Sequence, residues 1–238
     1  MIRGFLRHGA QILPHGALGH LGWLRGALGG AIGIACAGLL GRLTLGATSP
    51  ALPLLAAPIG ASAVLVFAVP ASPLAQPWAV IGGNLISATV GLVAGHMIGA
   101  TLPATAVAVG LAIAAMSLAR CLHPPGGACA LLYTLGATGA EHWGPAHLAT
   151  IGLNVLALGL VGWLFNNLTG HPWPHRPVKT PEAAAPDTRS MQFRAALTAV
   201  LADWNEVVDA DVDDLDAIFQ AVERRIQSGV SSSGAKGG

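Results

Sequence analysis

The sequence predicts an all-α integral membrane protein built from two related halves, followed by a short soluble helical hairpin. Hydrophobic residues make up 53% of the 238 residues and charged residues only 10%, whereas soluble domains carry about 25% charged residues. No Asp, Glu, Lys or Arg occurs from residue 43 to residue 119. So long an uncharged stretch is expected to lie in lipid or against other spans.

The same composition argues against several classes of function. A net charge of +1 gives no reason to expect a nucleic-acid partner. Glu141 is the only carboxylate in the apolar region, and no nucleotide-binding glycine loop follows a strand, so we expect neither an enzyme nor a cofactor. Cys121, His123 and Cys129 lack an evident fourth ligand, so we expect no metal site.

A short pattern that occurs twice is the basis for predicting two halves. Residues 58–65 and 125–132 both read Pro-x-Gly-Ala-x-Ala-x-Leu. Each copy is followed by Ile-Gly-x-Asn, at residues 81–84 and 151–154, and preceded by a related stretch, at residues 31–35 and 108–112. Paired Gly/Pro-interrupted segments in corresponding positions indicate a transporter's binding site.

The first half is expected to contain two long spans around one short segment. Residues 1–22 read as a Gly/His-rich interfacial segment rather than a cleavable signal peptide. Residues 23–45 form the first span, residues 51–69 are apolar but broken at Pro53 and Pro58, and residues 78–100 open with Trp78 at an interfacial position. The first repeat therefore covers about residues 23–100.

The second half, about residues 103–169, repeats this order and completes a transmembrane domain at residues 23–169. Residues 103–120 end at Arg120, residues 124–139 are short, and residues 146–168 form the last span. A helix starting at Pro58 would be about 18 Å long, against an apolar bilayer core of about 30 Å. We therefore expect each short segment to be a half-helix, a broken span or a re-entrant hairpin.

Lys and Arg residues flank both ends of the apolar region and favour cytoplasmic termini. Both termini on one side require an even number of crossings. Six crossings give inverted halves and four give parallel halves; we favour inversion. We expect the chain in a bacterial inner (plasma) membrane.

The C-terminal part is predicted to be soluble. Residues 170–186 form a Pro-rich linker, residues 187–229 a hairpin of two amphipathic helices, and residues 230–238 a disordered tail. About forty residues are too few for an independent core. The hairpin is therefore expected to pack on a partner or on its twin in a homo-oligomer.

The repeated element predicts the first candidate binding site. A proline at the first helical position leaves the following backbone N–H groups free, and a helix N-terminus attracts anions. Two such N-termini, from inverted halves, would bind a small anion near the bilayer midplane. The alternative is that these small residues only allow tight helix packing. The candidate residues are Gly60, Ala61 and Ser62 in one copy and Gly126, Gly127 and Ala128 in the other.

Four further polar residues complete the candidate site. Asn84 and Asn154 occupy matched places, and each either caps a neighbouring half-helix or contacts the solute. His123 either caps backbone carbonyls or serves as a proton-linked or anion-facing group. Arg120 either attracts anions into a vestibule as a gate residue or extends to lipid headgroups.

Four motifs can be compared with known families: His123-Pro124-Pro125-Gly126-Gly127-Ala128, residues 57–65, residues 72–77 and residues 81–84. Together they resemble the HPP family of membrane proteins, named for a His-Pro-Pro motif. The resemblance covers roughly residues 20–170 and implies an integral membrane protein, described for the family as four-spanning. It also implies a link to nitrite, because plant chloroplast members are associated with nitrite transport.

We therefore predict a transporter or channel for a small monovalent anion such as nitrite, lying in the lipid bilayer and forming a homo-oligomer. One alternative is a channel of the same architecture for a neutral small solute. The other is a non-transporting membrane module whose C-terminal hairpin docks a partner.

Overall fold

The protein is helical throughout the part of the chain that the structure describes. The computed structural model describes residues 22–46, 48–49, 51–140, 142–176, 188–204 and 210–234, and these contain no strand. This confirms the predicted all-α class. The helices are α1 (Gly22–Leu45), α2 (Ala51–Ala68), α3 (Pro77–Ile98), α4 (Leu102–Leu118), α5 (Pro125–Ala137), α6 (Pro145–Leu168), α7 (Thr188–Trp204) and α8 (Val212–Gly234), with a 3-10 turn at Pro73–Ala75.

The first six helices begin and end within two residues of the segments expected from the sequence. The last helix of the chain, α8, continues to Gly234 and so includes part of the expected disordered tail. Most of the expected interfacial segment, residues 177–186 of the expected linker and residues 235–238 of the tail lie outside the described residues.

The short segments differ from each other, which corrects one expectation. The helix α5 does begin at Pro125 and has 13 residues, about 20 Å. By contrast, α2 begins at Ala51 and continues through Pro58 for 18 residues, about 27 Å. The expected half-helix starting at Pro58 was wrong because proline removes a single N–H donor, which a packed membrane helix tolerates.

The exterior of the six-helix unit is apolar. Three helices, α1, α3 and α6, are long and apolar enough to cross a membrane by length and composition. Large hydrophobic side chains point outward along them and along α4, for example Met97, Leu102 and Leu118, which are 80%, 83% and 87% exposed. Such a surface is stable in lipid rather than in water.

The contacts among the six helices have an internal symmetry. The helix α1 packs on α2 and on α6, and α4 packs on α5 and on α3. The other contacts are α3 with α5, α2 with α6, α2 with α5 and α3 with α6. Exchanging α1 with α4, α2 with α5 and α3 with α6 maps this set of contacts onto itself.

The two short helices also show the same burial pattern. Residues 57–68 and 124–135 fall into the same class, buried, half-buried or exposed, at each of the twelve paired positions. The pairing is the one set by the repeated motif, in which Pro58 corresponds to Pro125. The two copies therefore occupy equivalent environments.

The closest helix contact is between α3 and α5. A Cβ atom on Gly91 would lie 2.2 Å from the Ala130 carbonyl oxygen, and one on Gly95 would lie 2.5 Å from the Thr134 carbonyl oxygen. Small residues recur along this face of α3 at Gly83, Ser87, Gly91 and Gly95. Small residues at such spacing let two backbones approach closely in membranes.

This close contact makes a testable prediction. Gly91→Ala should destabilise the protein by about 1–3 kcal/mol, because the new methyl group meets backbone that cannot move aside. The matched control is Gly110→Ala on α4, where a Cβ atom would meet nothing within 4 Å. The melting temperature of the detergent-solubilised protein measures both, and equal values for the two variants would contradict the close packing.

Candidate functional site

His123 lies in the turn between α4 and α5 and is fully buried. Its Nδ1 atom is 2.8 Å from the Leu74 carbonyl oxygen, and because a carbonyl only accepts, Nδ1 carries the proton and donates. The other ring nitrogen, Nε2, lies 2.8 Å from the Ser62 hydroxyl oxygen. The imidazole thus joins the 3-10 turn region to α2.

Asn84 on α3 connects this pair to α5. Its Nδ2 atom donates to the Ser62 hydroxyl at 3.0 Å and to the Val80 carbonyl at 2.8 Å. Its Oδ1 atom accepts from the Cys129 thiol at 3.0 Å. Each polar atom of the carboxamide therefore has a partner, as burial requires.

We refer to Ser62, Asn84, His123 and Cys129 as the buried polar cluster. All four residues are 0% exposed. Ser62 and Cys129 occupy equivalent positions of the repeated motif, and both contact the same carboxamide. The cluster therefore lies where the two copies of the motif meet, and it is built from α2, α3, α5 and the turn before α5.

The positions of the heavy atoms fit either protonation state of His123, and burial lowers the pKa of its imidazole and so favours the neutral ring. With a neutral imidazole, the Ser62 hydroxyl donates to His123 Nε2. With a charged imidazole, Nε2 donates to Ser62, whose hydroxyl then donates to the Pro58 carbonyl at 3.0 Å. Both arrangements satisfy the donor and acceptor inventory of these groups.

Two glycines position the turn that carries His123. A Cβ atom on Gly83 would lie 2.5 Å from His123 Cβ and 2.8 Å from the Cys121 carbonyl oxygen, so only glycine admits the turn. A Cβ atom on Gly126 would lie 2.6 Å from the Ser87 hydroxyl oxygen. The sequence motif gave no role to Ser87, which is fully buried and has no hydrogen-bond partner among the described residues.

The backbone N–H groups expected to bind an anion already have partners. Gly60, Ala61 and Ser62 lie inside α2, where N–H groups donate to carbonyls four residues earlier. At the start of α5, Gly126 N donates to the His123 carbonyl at 2.8 Å and Gly127 N to the Pro124 carbonyl at 3.0 Å. The expectation of free N–H groups is therefore corrected, because backbone carbonyls of nearby residues already accept from them.

The other candidate residues from the sequence lie in different places in the structure. Ala61, Ala128 and Arg120 are exposed, and Gly60 and Gly127 are half-buried with open space where a Cβ atom would lie. Asn154 is buried on α6, and its Oδ1 atom has no hydrogen-bond partner among the described residues. Only Ser62, Asn84 and His123 of the candidate side chains come together, with Cys129 as their fourth member.

Metal binding has no support in the described part of the chain. No group of three or more His, Cys, Asp or Glu residues there is placed to hold an ion. The chemistry available at the cluster is hydrogen bonding by a hydroxyl, an amide, a thiol and an imidazole.

Comparison with known proteins identifies the membrane region. The family described as "HPP, transmembrane region" matches residues 16–174. Two transmembrane proteins of Dictyostelium discoideum are similar: one is 46% identical over 81 residues, covering 32% of this chain and 26% of the relative. The other is 48% identical over 80 residues, covering 32% and 28%.

The chain thus aligns with little more than a quarter of each relative's length. Both relatives are eukaryotic, so they give no support to the expected bacterial membrane. No solved structure matches the chain.

The hydrogen bonds of Asn84 lead to a prediction about the stability of two variants. Asn84→Leu should destabilise the protein by about 1–3 kcal/mol, because it removes the partner of two buried groups. Thr89→Val on the same helix is the control, since Thr89 is exposed and, among the described residues, its hydroxyl bonds to the Leu85 carbonyl of its own helix alone. Thermal unfolding in detergent compares them, and an Asn84 variant as stable as the Thr89 variant would show that the carboxamide holds nothing together.

Proposed function

The chain belongs to the HPP family of transmembrane proteins, and we propose that it is a transporter or channel for a small monovalent anion, with nitrite as the first candidate. The solute binds at the buried polar cluster, where the two copies of the motif meet. The cluster replaces the paired helix N-termini as the proposed binding site, because the N–H groups there are held in backbone hydrogen bonds of α2 and of the start of α5, whereas the side chains of the cluster can exchange one another for a solute when the helices move.

The observation that carries the proposal is the cluster in the interior of a membrane protein. Polar and ionisable groups inside a membrane are costly to bury and mark solute or proton pathways. Here a hydroxyl, a carboxamide, an imidazole and a thiol lie together at 0% exposure. A purely structural core at this depth would be cheaper to build from apolar side chains.

The charge balance favours an anion over a cation. Residues 22–176 contain four arginines and a single carboxylate, Glu141. A cation pathway would require carboxylates or a ring of carbonyls. The cluster instead offers hydrogen-bond donors from the Ser62 hydroxyl, the Asn84 amide and the Cys129 thiol, from which an anion can accept.

The internal symmetry supports a transport cycle. The contact pattern of the six helices and the matching burial of α2 and α5 both support two repeats, and we infer that they are inverted with both termini on the cytoplasmic side. Because the cluster is completely enclosed, the solute reaches it when one repeat moves relative to the other.

We also infer that the chain forms a homo-oligomer through its C-terminal hairpin. Both helices of the hairpin expose large apolar side chains, for example Met191 on α7 and Ile218 on α8, which are 61% and 59% exposed. The segment 187–229 carries nine acidic and four basic residues, so anionic lipid would repel it and another protein surface would not.

Nitrite uptake into proteoliposomes tests the proposal. The purified chain should show saturable uptake that empty liposomes lack, with nitrate, chloride and glycerol as competitors. Ser62→Ala should lower the uptake rate at least about tenfold, because a hydrogen bond to a charged solute contributes about 1.5–3 kcal/mol.

Ser117→Ala is the matched control, since Ser117 is exposed on α4 and its hydroxyl bonds to no described group other than the Ile113 carbonyl of its own helix. Its uptake rate should equal that of the wild type. Glycerol flux without nitrite flux would favour a neutral solute. No flux of any solute from folded protein would favour the partner-docking module.

A further inference from the structure

The segment after α6 packs against the loop that precedes α3. The indole Nε1 of Trp173 donates to the Ala75 carbonyl at 3.0 Å, and Trp173 is only 3% exposed. Two residues later, the backbone N–H of His175 donates to the Gln76 side-chain oxygen at 2.8 Å. Residues 173–175 therefore form a strap over this loop.

The loop beneath the strap, residues 70–76, is held together by its own side chains. Gln76 Nε2 donates to the Ser72 carbonyl at 2.8 Å and to the Pro70 carbonyl at 3.1 Å. The Leu74 backbone N–H donates to the Ser72 hydroxyl at 3.1 Å. With so many internal bonds the loop moves as one piece rather than residue by residue.

The opposite side of the same loop contacts the buried polar cluster. The Leu74 carbonyl is the acceptor that fixes His123 Nδ1, at 2.8 Å. A displacement of the loop by the strap therefore moves the group that orients the imidazole of His123. The loop lies between the C-terminal part of the chain and the proposed binding site.

The strap is in turn bonded to the C-terminal hairpin. His175 Nε2 donates to Asp214 Oδ2 on α8 at 2.7 Å, with the two side chains 18% and 22% exposed. The neighbouring Asp213 pairs instead with Arg194 on α7, inside the hairpin. Two adjacent carboxylates thus have different roles: one ties the hairpin to the strap and the other ties the hairpin to itself.

We propose that the C-terminal hairpin controls access to the buried polar cluster, and that the His175–Asp214 contact is the latch through which it acts. The path runs from Asp214 to His175, through Gln76 and the 70–76 loop, to the Leu74 carbonyl and His123. This inference names the regulation of the proposed solute site and rests on that proposal.

The direction of control follows from the state in which the latch is made. The latch is formed while the cluster is completely enclosed. An interaction that is present in one of two states stabilises that state. The latch therefore favours the closed cluster, and removing it increases the population of open protein.

The experiment measures opening directly, by modification of Cys129. In protein carrying Cys36→Ser and Cys121→Ser, Cys129 is the single remaining thiol, and it reacts with a small maleimide only when the cluster opens. Asp214→Ala should raise the labelling rate about two- to fivefold, the range expected for the loss of one partly exposed polar contact. His175→Ala should do the same.

Two controls separate the latch from general damage. Asp213→Ala removes the adjacent carboxylate, which bonds inside the hairpin, and should leave the labelling rate unchanged. The double variant His175→Ala with Asp214→Ala should label no faster than either single variant, because both remove one contact. An equal increase in the Asp213 variant, or no increase in the Asp214 variant, would overturn the latch.

Nitrite uptake by the same variants distinguishes this inference from the proposed function. Faster labelling of Cys129 in protein that transports nothing would support the latch and reject the transport proposal. Measurable nitrite uptake with no effect of Asp214→Ala on labelling would reject the latch and leave the transport proposal in place.

Discussion

The backbone contact between α3 and α5 organises the membrane region. Gly91 and Gly95 allow the two helices to approach until backbone carbonyls of α5 lie where side chains of α3 would otherwise be. Helix association in lipid lacks the hydrophobic driving force that acts in water and depends on such close packing. The close approach of α3 and α5 brings Asn84 into contact with Cys129 and Ser87 into contact with Gly126. The buried polar cluster therefore depends on this helix packing.

The burial of the cluster explains why its polar groups bond to one another. A buried donor or acceptor is costly without a partner, and each polar atom of the Asn84 carboxamide has one. Asn84 bonds to one residue of each motif copy, Ser62 through its amide nitrogen and Cys129 through its amide oxygen. The similarity of the two copies does not extend to α3 and α6, because Gly83 admits the His123 turn whereas the corresponding Leu153 is 44% exposed.

The departure from symmetry bears on the proposed site. Ser62 and Cys129 are equivalent positions of the two motif copies, but the position that corresponds to His123 in the first copy is Ala56. One ring nitrogen of His123 bonds to Ser62, and the other bonds to the 70–76 loop, which contacts the strap through the Ala75 carbonyl. The imidazole therefore connects the cluster to the segment that contacts the C-terminal hairpin.

Much of the fold could be predicted from the sequence, because apolar stretches and prolines leave few possible places for each helix to begin and end. The helix bounds are one example. The sequence also drew attention to Ser62, Asn84 and His123, whose side chains are in contact in the structure. Two features could not be predicted from local sequence. Pro58 looks like the first residue of a helix, yet the helix begins seven residues earlier, at Ala51. Ser87 has no distinguishing feature in the sequence, and its place against Gly126 depends on the packing of α5 on α3.

The central claim is that the solute binds at the buried polar cluster. The most direct test is protection of Cys129 from maleimide by nitrite, in protein where Cys129 is the single cysteine. Nitrite at a concentration that saturates uptake should slow the labelling of Cys129, while labelling of the half-buried Cys36 in its own single-cysteine protein should not change. Equal labelling of Cys129 with and without nitrite would contradict the account.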